Sequence, residues 1–282
     1  MVRWRKVWRK VRDGRFLRGR QSAPAANKLI SIFGCGVQKG GTTSLHAYLC
    51  QHPALSAPSQ KELHFFDNEA NDWASPDYKP LQSFFPSDDG ARLRFEVTPI
   101  YLFWPRAIER VRAYNPTAKL VFLFRDPFER ALSQWCMEYE RGDETLSFAE
   151  AIREGRRRME GLPPFADERR VFAYVERGLY GEQVRRALTH FPREQLLFLR
   201  SEDLRDDHVA TLARISTFAG LPPFPNLGVK REHPRPATSS LLSRPTDDDR
   251  ALIADLVRDD LRDFAGLTGL DISNWPTIRE PI

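Results

Sequence analysis

Leu29-Ile30-Ser31-Ile32-Phe33-Gly34-Cys35-Gly36-Val37-Gln38-Lys39-Gly40-Gly41-Thr42-Thr43-Ser44-Leu45 passes from a short apolar run through a glycine-rich turn into a segment where Leu45, Tyr48 and Leu49 recur at helical spacing. The pattern predicts a strand over Leu29 to Phe33, a turn, and a helix over Thr42 to Cys50. Glycines let backbone N–H groups converge, and the first turn of the helix adds unpaired N–H groups and the positive end of a dipole. Such a turn holds an anion. Lys39 contributes a point charge there, and Thr42, Thr43 and Ser44 contribute hydroxyls. A Walker A loop has Gly-Lys followed by Ser or Thr, whereas here the lysine precedes Gly40 and Gly41. That order does not suit a nucleotide triphosphatase. The glycines alone would equally suit a tight strand-to-helix connection.

Outward from this turn the signals alternate. Strand-like runs occur at Leu93 to Val97, Lys119 to Phe124 and Gln195 to Leu199. Helical patterns occupy Pro105 to Tyr114, Pro127 to Arg141, Tyr180 to His190 and Asp247 to Ala265. Alternation of this kind predicts an α/β fold with a mainly parallel central sheet flanked by helices. The charged stretch Glu154 to Arg170, with two adjacent prolines, reads as a surface insertion or mobile lid.

At 282 residues and 41% hydrophobic content the chain buries one substantial core. The expected division is a basic, aromatic tail and linker over residues 1–26 and one domain over residues 27–282. The net charge of +5 is misleading, because residues 1–20 carry nine Lys/Arg and one acid, leaving 34 Lys/Arg against 37 Asp/Glu elsewhere. A nucleic-acid-binding domain is therefore not expected. As a helix, the tail would set Trp4, Val7, Trp8 and Val11 against arginines and lysines, which suits peripheral contact with an anionic membrane surface; as a solvated extension it would have no such role. No apolar run is long enough to span a bilayer, and no secretory signal is evident. Cys35, Cys50 and Cys136 are widely spaced, which predicts neither a disulfide nor a metal site. These features point to a cytoplasmic protein, or one peripheral at the inner membrane surface.

The run Gln38 to Leu45, followed by His52-Pro53 and then Lys61-Glu62-Leu63-His64-Phe65-Phe66-Asp67, resembles the heparan-sulfate-type branch of the sulfotransferases that use 3′-phosphoadenosine-5′-phosphosulfate (PAPS). Arg125-Asp126-Pro127-Phe128-Glu129-Arg130-Ala131-Leu132-Ser133-Gln134-Trp135 is similar to a second motif of that family, and the likeness continues through Gly178-Leu179-Tyr180 and Ser201-Glu202-Asp203-Leu204. The resemblance implies a single P-loop-like domain with PAPS as donor and a bacterial member of the family. It assigns cofactor contacts to Lys39, Gly40, Gly41, Thr42, Thr43 and Ser44, and the 3′-phosphate to Arg125 and Ser133. Lys230-Arg231-Glu232-His233-Pro234 resembles a basic loop that closes over the nucleotide, without its usual glycine, which makes Arg231 a further candidate.

Sulfuryl transfer needs an in-line nucleophile, a base for its proton, and neutralisation of charge growing on the leaving phosphate oxygen, by analogy with phosphoryl transfer. Lys39 is the expected cation at that oxygen. The resemblance puts the catalytic base at Glu62; His64, two residues on, would assist proton movement or orient the acceptor, with Asp67 holding the histidine. A carboxylate near its ordinary pKa of about 4.3 is a weak base, and Phe65 and Phe66 are expected to supply the dryness that raises it. His64 shares a side with Glu62 if the segment is extended. No metal ion is required by this scheme. Glu96-Val97-Thr98-Pro99-Ile100-Tyr101 resembles an acceptor-side motif in which heparan-type enzymes usually have lysine at the position of Val97. A heavily sulfated acceptor is accordingly not expected, and a carbohydrate, a glycolipid or a small natural product all fit. Trp135, Met137 and Tyr139 either line the acceptor cleft or pack in the core. The competing readings are a P-loop-type phosphotransferase and a non-catalytic membrane-surface binding protein.

Overall fold

The computed structural model describes residues 28–228 and 245–278. Arg231 and the basic tail over residues 1–20 lie outside the described residues.

Five parallel strands form the sheet: β1 (Ile30–Gly36), β2 (Leu55–Ser56), β3 (Leu93–Val97), β4 (Lys119–Phe124) and β5 (Leu196–Arg200), in the order β2-β3-β1-β4-β5. The central β1 runs three residues beyond the expected end. Gly34 pairs with Val97 and Gly36 with Phe122, so the glycines that read as a turn still belong to the ladder. A Cβ at Gly34 would stand 2.9 Å from Val97 Cγ1, which explains glycine in a strand interior.

Both sheet faces are covered. Along β4, Leu120, Phe122 and Phe124 join one apolar cluster while Val121 and Leu123 join the other, the two-residue alternation of a strand buried on both sides. Helices α1 (Thr42–Leu49), α8 (Ser201–Asp206) and α9 (His208–Ala219) close the smaller cluster through Leu45, Leu204 and Leu212. The larger cluster lies beneath α3 (Ala107–Tyr114), α4 (Pro127–Arg141), α5 (Phe148–Arg158), α7 (Tyr180–His190) and α10 (Asp247–Thr268). Short helices α2 (Lys79–Gln82) and α6 (Glu168–Phe172) complete this part of the molecule. No helix among the described residues is long and apolar enough to cross a membrane.

Residues 160–169 of the stretch Glu154 to Arg170 hold no buried side chain and lie at the surface, while its two ends belong to the body of the fold. Its first part belongs to α5, which starts at a capping box of Ser147 and Glu150 and buries Phe148, Ala151, Ile152 and Gly155. Its end carries Arg170, a buried arginine of α6. High charge hid this burial because four arginines of α5 find acidic partners, among them Arg153 with Asp249 and Arg158 with Glu144.

The first amides of α7 are capped from another helix. Asp260 of α10 accepts from Gly181 N at 2.7 Å and Glu182 N at 2.8 Å. This approach needs glycine, since a Cβ at Gly181 would lie 2.5 Å from the Asp260 carbonyl oxygen. Gly181→Ala should therefore destabilise the protein by about 1–3 kcal/mol, lowering Tm by about 2–4 °C per kcal/mol. Gly266→Ala, where a Cβ meets nothing within 4 Å, should leave Tm unchanged or higher in the same thermal melt.

Candidate active site

The carboxyl end of β1 lies where the sheet order reverses, with β3 on one side and β4 on the other, and the loop from Val37 to Gly41 leaves from this point. Val37 N donates to Leu123 O and Gly40 N to Val37 O, each at 2.9 Å, so the loop is tied to the end of β4. Gly41 has a φ of 89°, and no side chain caps α1. The amides of Thr42, Thr43 and Ser44 thus face the loop without intrahelical acceptors. Lys39 sits among like charges. Burial lowers its pKa, Arg141 and Arg125 lower it further, and Glu138 opposes them.

Arg125 closes one side of this cradle. Its Nη1 donates to Lys39 O at 3.4 Å and its Nη2 pairs with Glu129 at 3.1 Å. Asp126 takes no part in that pairing. Its carboxylate caps α4 by accepting from Glu129 N at 3.0 Å and also accepts from Thr277 N at 2.8 Å. Arg125 precedes α4 and pairs with Glu129 of its first turn, and the half-buried Ser133 lies one turn beyond Glu129 on the same face of the helix.

On the other side of β1 the segment Lys61 to Asp67 crosses the end of β3, with Glu62 N donating to Val97 O at 3.2 Å. Lys61 Nζ donates to Glu62 Oε1, and His64 Nε2 lies 3.6 Å from Glu62 Oε2. His64 Nδ1 is 3.0 Å from Asp67 Oδ2. The segment is not extended. Glu62 and His64 have φ values of 60° and 50°, and it is this left-handed backbone that brings the two side chains together. Among the described residues the non-glycine positions with positive φ are Lys39, Glu62 and His64. Sparsely populated backbone conformations persist where surrounding structure imposes them, and they cluster at functional sites.

The electrostatics differ from the expectation for Glu62. Burial alone would raise its carboxyl, but the hydrogen bond to His64 and the charge of Lys61 outweigh burial and hold it at about 2. Phe65 and Phe66 do not surround it. They face the core, where Phe66 packs on Phe33, Trp73, Tyr101 and Tyr114. Burial opposes a charge on His64, yet Asp67 and Glu62 raise it to about 9. Asp67, despite full burial, is held well below the ordinary carboxylate range by His64 and Arg170.

Residues without a sequence signal connect the two sides. Arg170 pairs with Asp67 and donates from Nη2 to Asp67 O at 2.5 Å, with its guanidinium 3.8 Å from the Trp104 ring centroid. Arg177 donates to Arg170 O at 2.7 Å and, through Nη1, to Gln38 Oε1 of the phosphate loop. A continuous path therefore runs from Gln38 through Arg177, Arg170, Asp67 and His64 to Glu62. Lys61 stands inside a motif already quoted, whereas Arg170 and Arg177 are more than a hundred residues away from the segments they hold. Glu96 lies below the path, fully buried and pushed up to about 7 by burial, accepting from Thr98 Oγ1 at 2.9 Å. Trp135 is wholly buried and belongs to the core, so it does not line a cleft; Val97 is also fully buried.

The His64 pairing has a pH signature. Its pKa rises from 6.5 to about 9 on folding, so its contribution to stability is complete below pH 6.5 and disappears as pH passes through about 9. Denaturant unfolding of the wild type and of His64→Gln should show a stability gap that narrows across that window; a gap independent of pH would exclude a charged His64.

The chain is 31% identical over 186 residues to mouse (Mus musculus) heparan sulfate glucosamine 3-O-sulfotransferase 3B1, a match covering 66% of this chain and 45% of that protein. Against human (Homo sapiens) heparan sulfate glucosamine 3-O-sulfotransferase 6 the identity is 29% over 204 residues, covering 71% and 55%. The chain thus spans about half the length of these relatives. The crystal structure of a sulfotransferase from Alicyclobacillus acidocaldarius superposes with a TM-score of 0.70 at 26% identity, covering 90% of this chain and 99% of the other. The family model described as "Sulfotransferase domain" matches residues 30–228, which takes in the phosphate loop, the Lys61 to Asp67 segment and Arg125, and the chain belongs to that family.

Proposed function

We propose that this protein is an enzyme that transfers a sulfuryl group from PAPS to a hydroxyl or amine of an acceptor by in-line displacement. The observation that carries the reading is the chain of polar contacts from Gln38 through Arg177, Arg170, Asp67 and His64, hydrogen-bonded as far as His64 and ending in its 3.6 Å ion-pair contact with the part-exposed Glu62, which couples an anion cradle to an acid–base group. The donor supplies an activated bond between sulfur and a phosphate oxygen. Its fit rests on the uncapped start of α1, the glycines of the loop and the Arg125 guanidinium beside them. Gly40, Gly41, Thr42, Thr43 and Ser44 would hold the 5′-phosphosulfate, and Arg125 with Ser133 the 3′-phosphate. Lys39 would neutralise charge on the leaving oxygen, an interaction stronger in the transition state than in the ground state.

Glu62 would take the acceptor's proton. At about 2 it is a poor base in the free protein, because Lys61 and His64 stabilise its anion. Withdrawal of Lys61 toward the donor's oxygens would remove one of the two groups that hold Glu62 down, leaving His64 as the other, and so would raise its carboxyl. His64, held by Asp67, would fix the direction of the carboxylate. The name of the heparan sulfate glucosamine 3-O-sulfotransferase relatives supports a carbohydrate hydroxyl as the acceptor class, and the buried, uncharged Val97 favours an acceptor with fewer anionic groups than a heavily sulfated chain.

Calorimetric titration should show strong preference for adenosine 3′,5′-bisphosphate over adenosine 5′-monophosphate. Arg125→Ala should weaken bisphosphate binding about 10- to 100-fold, the effect of one or two charge-assisted hydrogen bonds, with little effect on the monophosphate. Equal affinity for the two nucleotides in folded wild-type protein would exclude PAPS as donor. In a sulfuryl-transfer assay Glu62→Gln should lower kcat about 10²- to 10⁴-fold while bisphosphate affinity stays within a factor of a few; unchanged kcat would move the base elsewhere.

A further inference from the structure

Arg125 directly follows the last residue of β4, and the Tyr180 hydroxyl fixes its backbone there by donating to Arg125 O at 2.8 Å. Its side chain makes two contacts: Nη1 donates to Lys39 O at 3.4 Å, and Nη2 donates to Glu129 Oε2 at 3.1 Å. The two partners of this ion pair are 25% and 28% exposed, so a ligand arriving from solvent can reach both.

The position of Glu129 matters as much as the contact. It stands in the first turn of α4, and Ser133 lies one turn further along the same face. Any anion that bridges Arg125 and Ser133 must therefore lie against the carboxylate between them. The neighbouring acid does not share this place. Asp126 is buried at 1% exposure, and its two oxygens accept from Glu129 N and Thr277 N. Among the described residues the carboxylate within 4.0 Å of the Arg125 guanidinium is that of Glu129.

We propose that Glu129 is the resting counter-ion of Arg125, that the 3′-phosphate of the donor competes with it for the guanidinium, and that this competition sets how readily the spent nucleotide leaves. The inference rests on the reading of Arg125 and Ser133 as the 3′-phosphate site. A phosphate and a carboxylate claiming one guanidinium repel each other at contact distance. The phosphate prevails because it carries more charge and offers three acceptor oxygens to the guanidinium and the hydroxyl. Glu129 yields without a large movement, since the first turn of a helix favours a carboxylate with or without the arginine.

Sulfuryl transfer alters the other end of the nucleotide and leaves the 3′-phosphate untouched. The bisphosphate product thus keeps the grip by which the donor was bound, and a grip without a competitor would slow its release. A carboxylate poised to return to Arg125 weakens donor and product alike through this one contact. A nucleotide with a 3′-hydroxyl does not claim the guanidinium and is not subject to the competition. Two other roles would leave a different signature. If Glu129 aimed Arg125 at the phosphate, its loss would weaken binding; if it were only an exposed ion pair of the helix, its loss would change little.

The test is calorimetric titration of the full chain with adenosine 3′,5′-bisphosphate and with adenosine 5′-monophosphate, together with stopped-flow dissociation of the bisphosphate. The proteins are wild type, Glu129→Gln, Glu129→Asp, and Arg125→Ala with and without Glu129→Gln. Glu129→Gln should bind the bisphosphate about 3- to 10-fold more tightly than wild type, the gain from removing one part-exposed competing charge. The gain should appear as slower dissociation, with monophosphate affinity within about twofold of wild type. In the Arg125→Ala background the same substitution should give a smaller gain, because the contact through which it acts is gone. Unchanged or weaker bisphosphate binding by folded Glu129→Gln would overturn the proposal, as would an equal gain in the Arg125→Ala background. Should the glutamine variant not fold in a thermal melt, Glu129→Asp takes its place, since it keeps the charge but draws it back from Arg125 by one methylene. Tighter bisphosphate binding by the aspartate variant supports the proposal, and unchanged or weaker binding overturns it. Failure of folded wild type to prefer the bisphosphate over the monophosphate would bring down the donor reading itself, whereas that preference without tightening in the Glu129 variants brings down this inference only.

Discussion

The pairing of Arg170 with Asp67 holds the site together. Both side chains are buried, at 4% and 0% exposure, and each is held from more than one direction. Arg170 stacks on Trp104 and binds the Asp67 carboxylate and carbonyl, while its own carbonyl anchors Arg177. Asp67 in turn orients His64. Removing one partner of such a pair leaves an uncompensated buried charge, a loss much larger than the pair's net contribution. The short helix α6 is therefore part of the site, although it contributes nothing to the sheet.

Around the phosphate loop the buried cations outnumber the acids that meet them. Arg177 and Arg130 find glutamine side chains and backbone carbonyls as partners, and no carboxylate within 4.0 Å among the described residues. Burial, with Arg130 and Arg170 nearby, lowers Arg177 to about 9. A surplus of fixed positive charge in a water-poor place favours an anion before it arrives. Glu138 is the exception in this region. Its unmet hydrogen bonds and the left-handed backbone of Lys39, Glu62 and His64 mark places where local energy is given up for arrangement.

Much of this was legible in the chain itself. Lys119 to Phe124, Leu93 to Val97, Pro127 to Arg141 and Tyr180 to His190 have the expected bounds, because their apolar periodicity matches one structure and their ends carry breakers or caps. Strand β1 overran its expected end because two glycines, weak strand formers, pair within the ladder. Glu154 to Arg170 reads correctly as surface over residues 160–169 and fails at Arg170: arginine is read as a surface residue, and nothing local reveals that Asp67 waits a hundred positions away.

The sequence by itself determined the α/β architecture, the anion-holding turn and the identity of Lys39, Glu62, His64 and Arg125 as chemically interesting, since periodicity, glycine placement and motif order are local properties. Only the tertiary structure decided their state. Glu62 is an ion-paired carboxylate at about 2 and His64 a histidine raised to about 9, the reverse of what dryness from Phe65 and Phe66 would have produced. Trp135 belongs to the core, and Arg170 meets an aspartate about a hundred residues earlier in the chain. The reason is physical: charge states depend on which groups share a low-dielectric space, and that is set by how helices pack on the sheet rather than by their order along the chain.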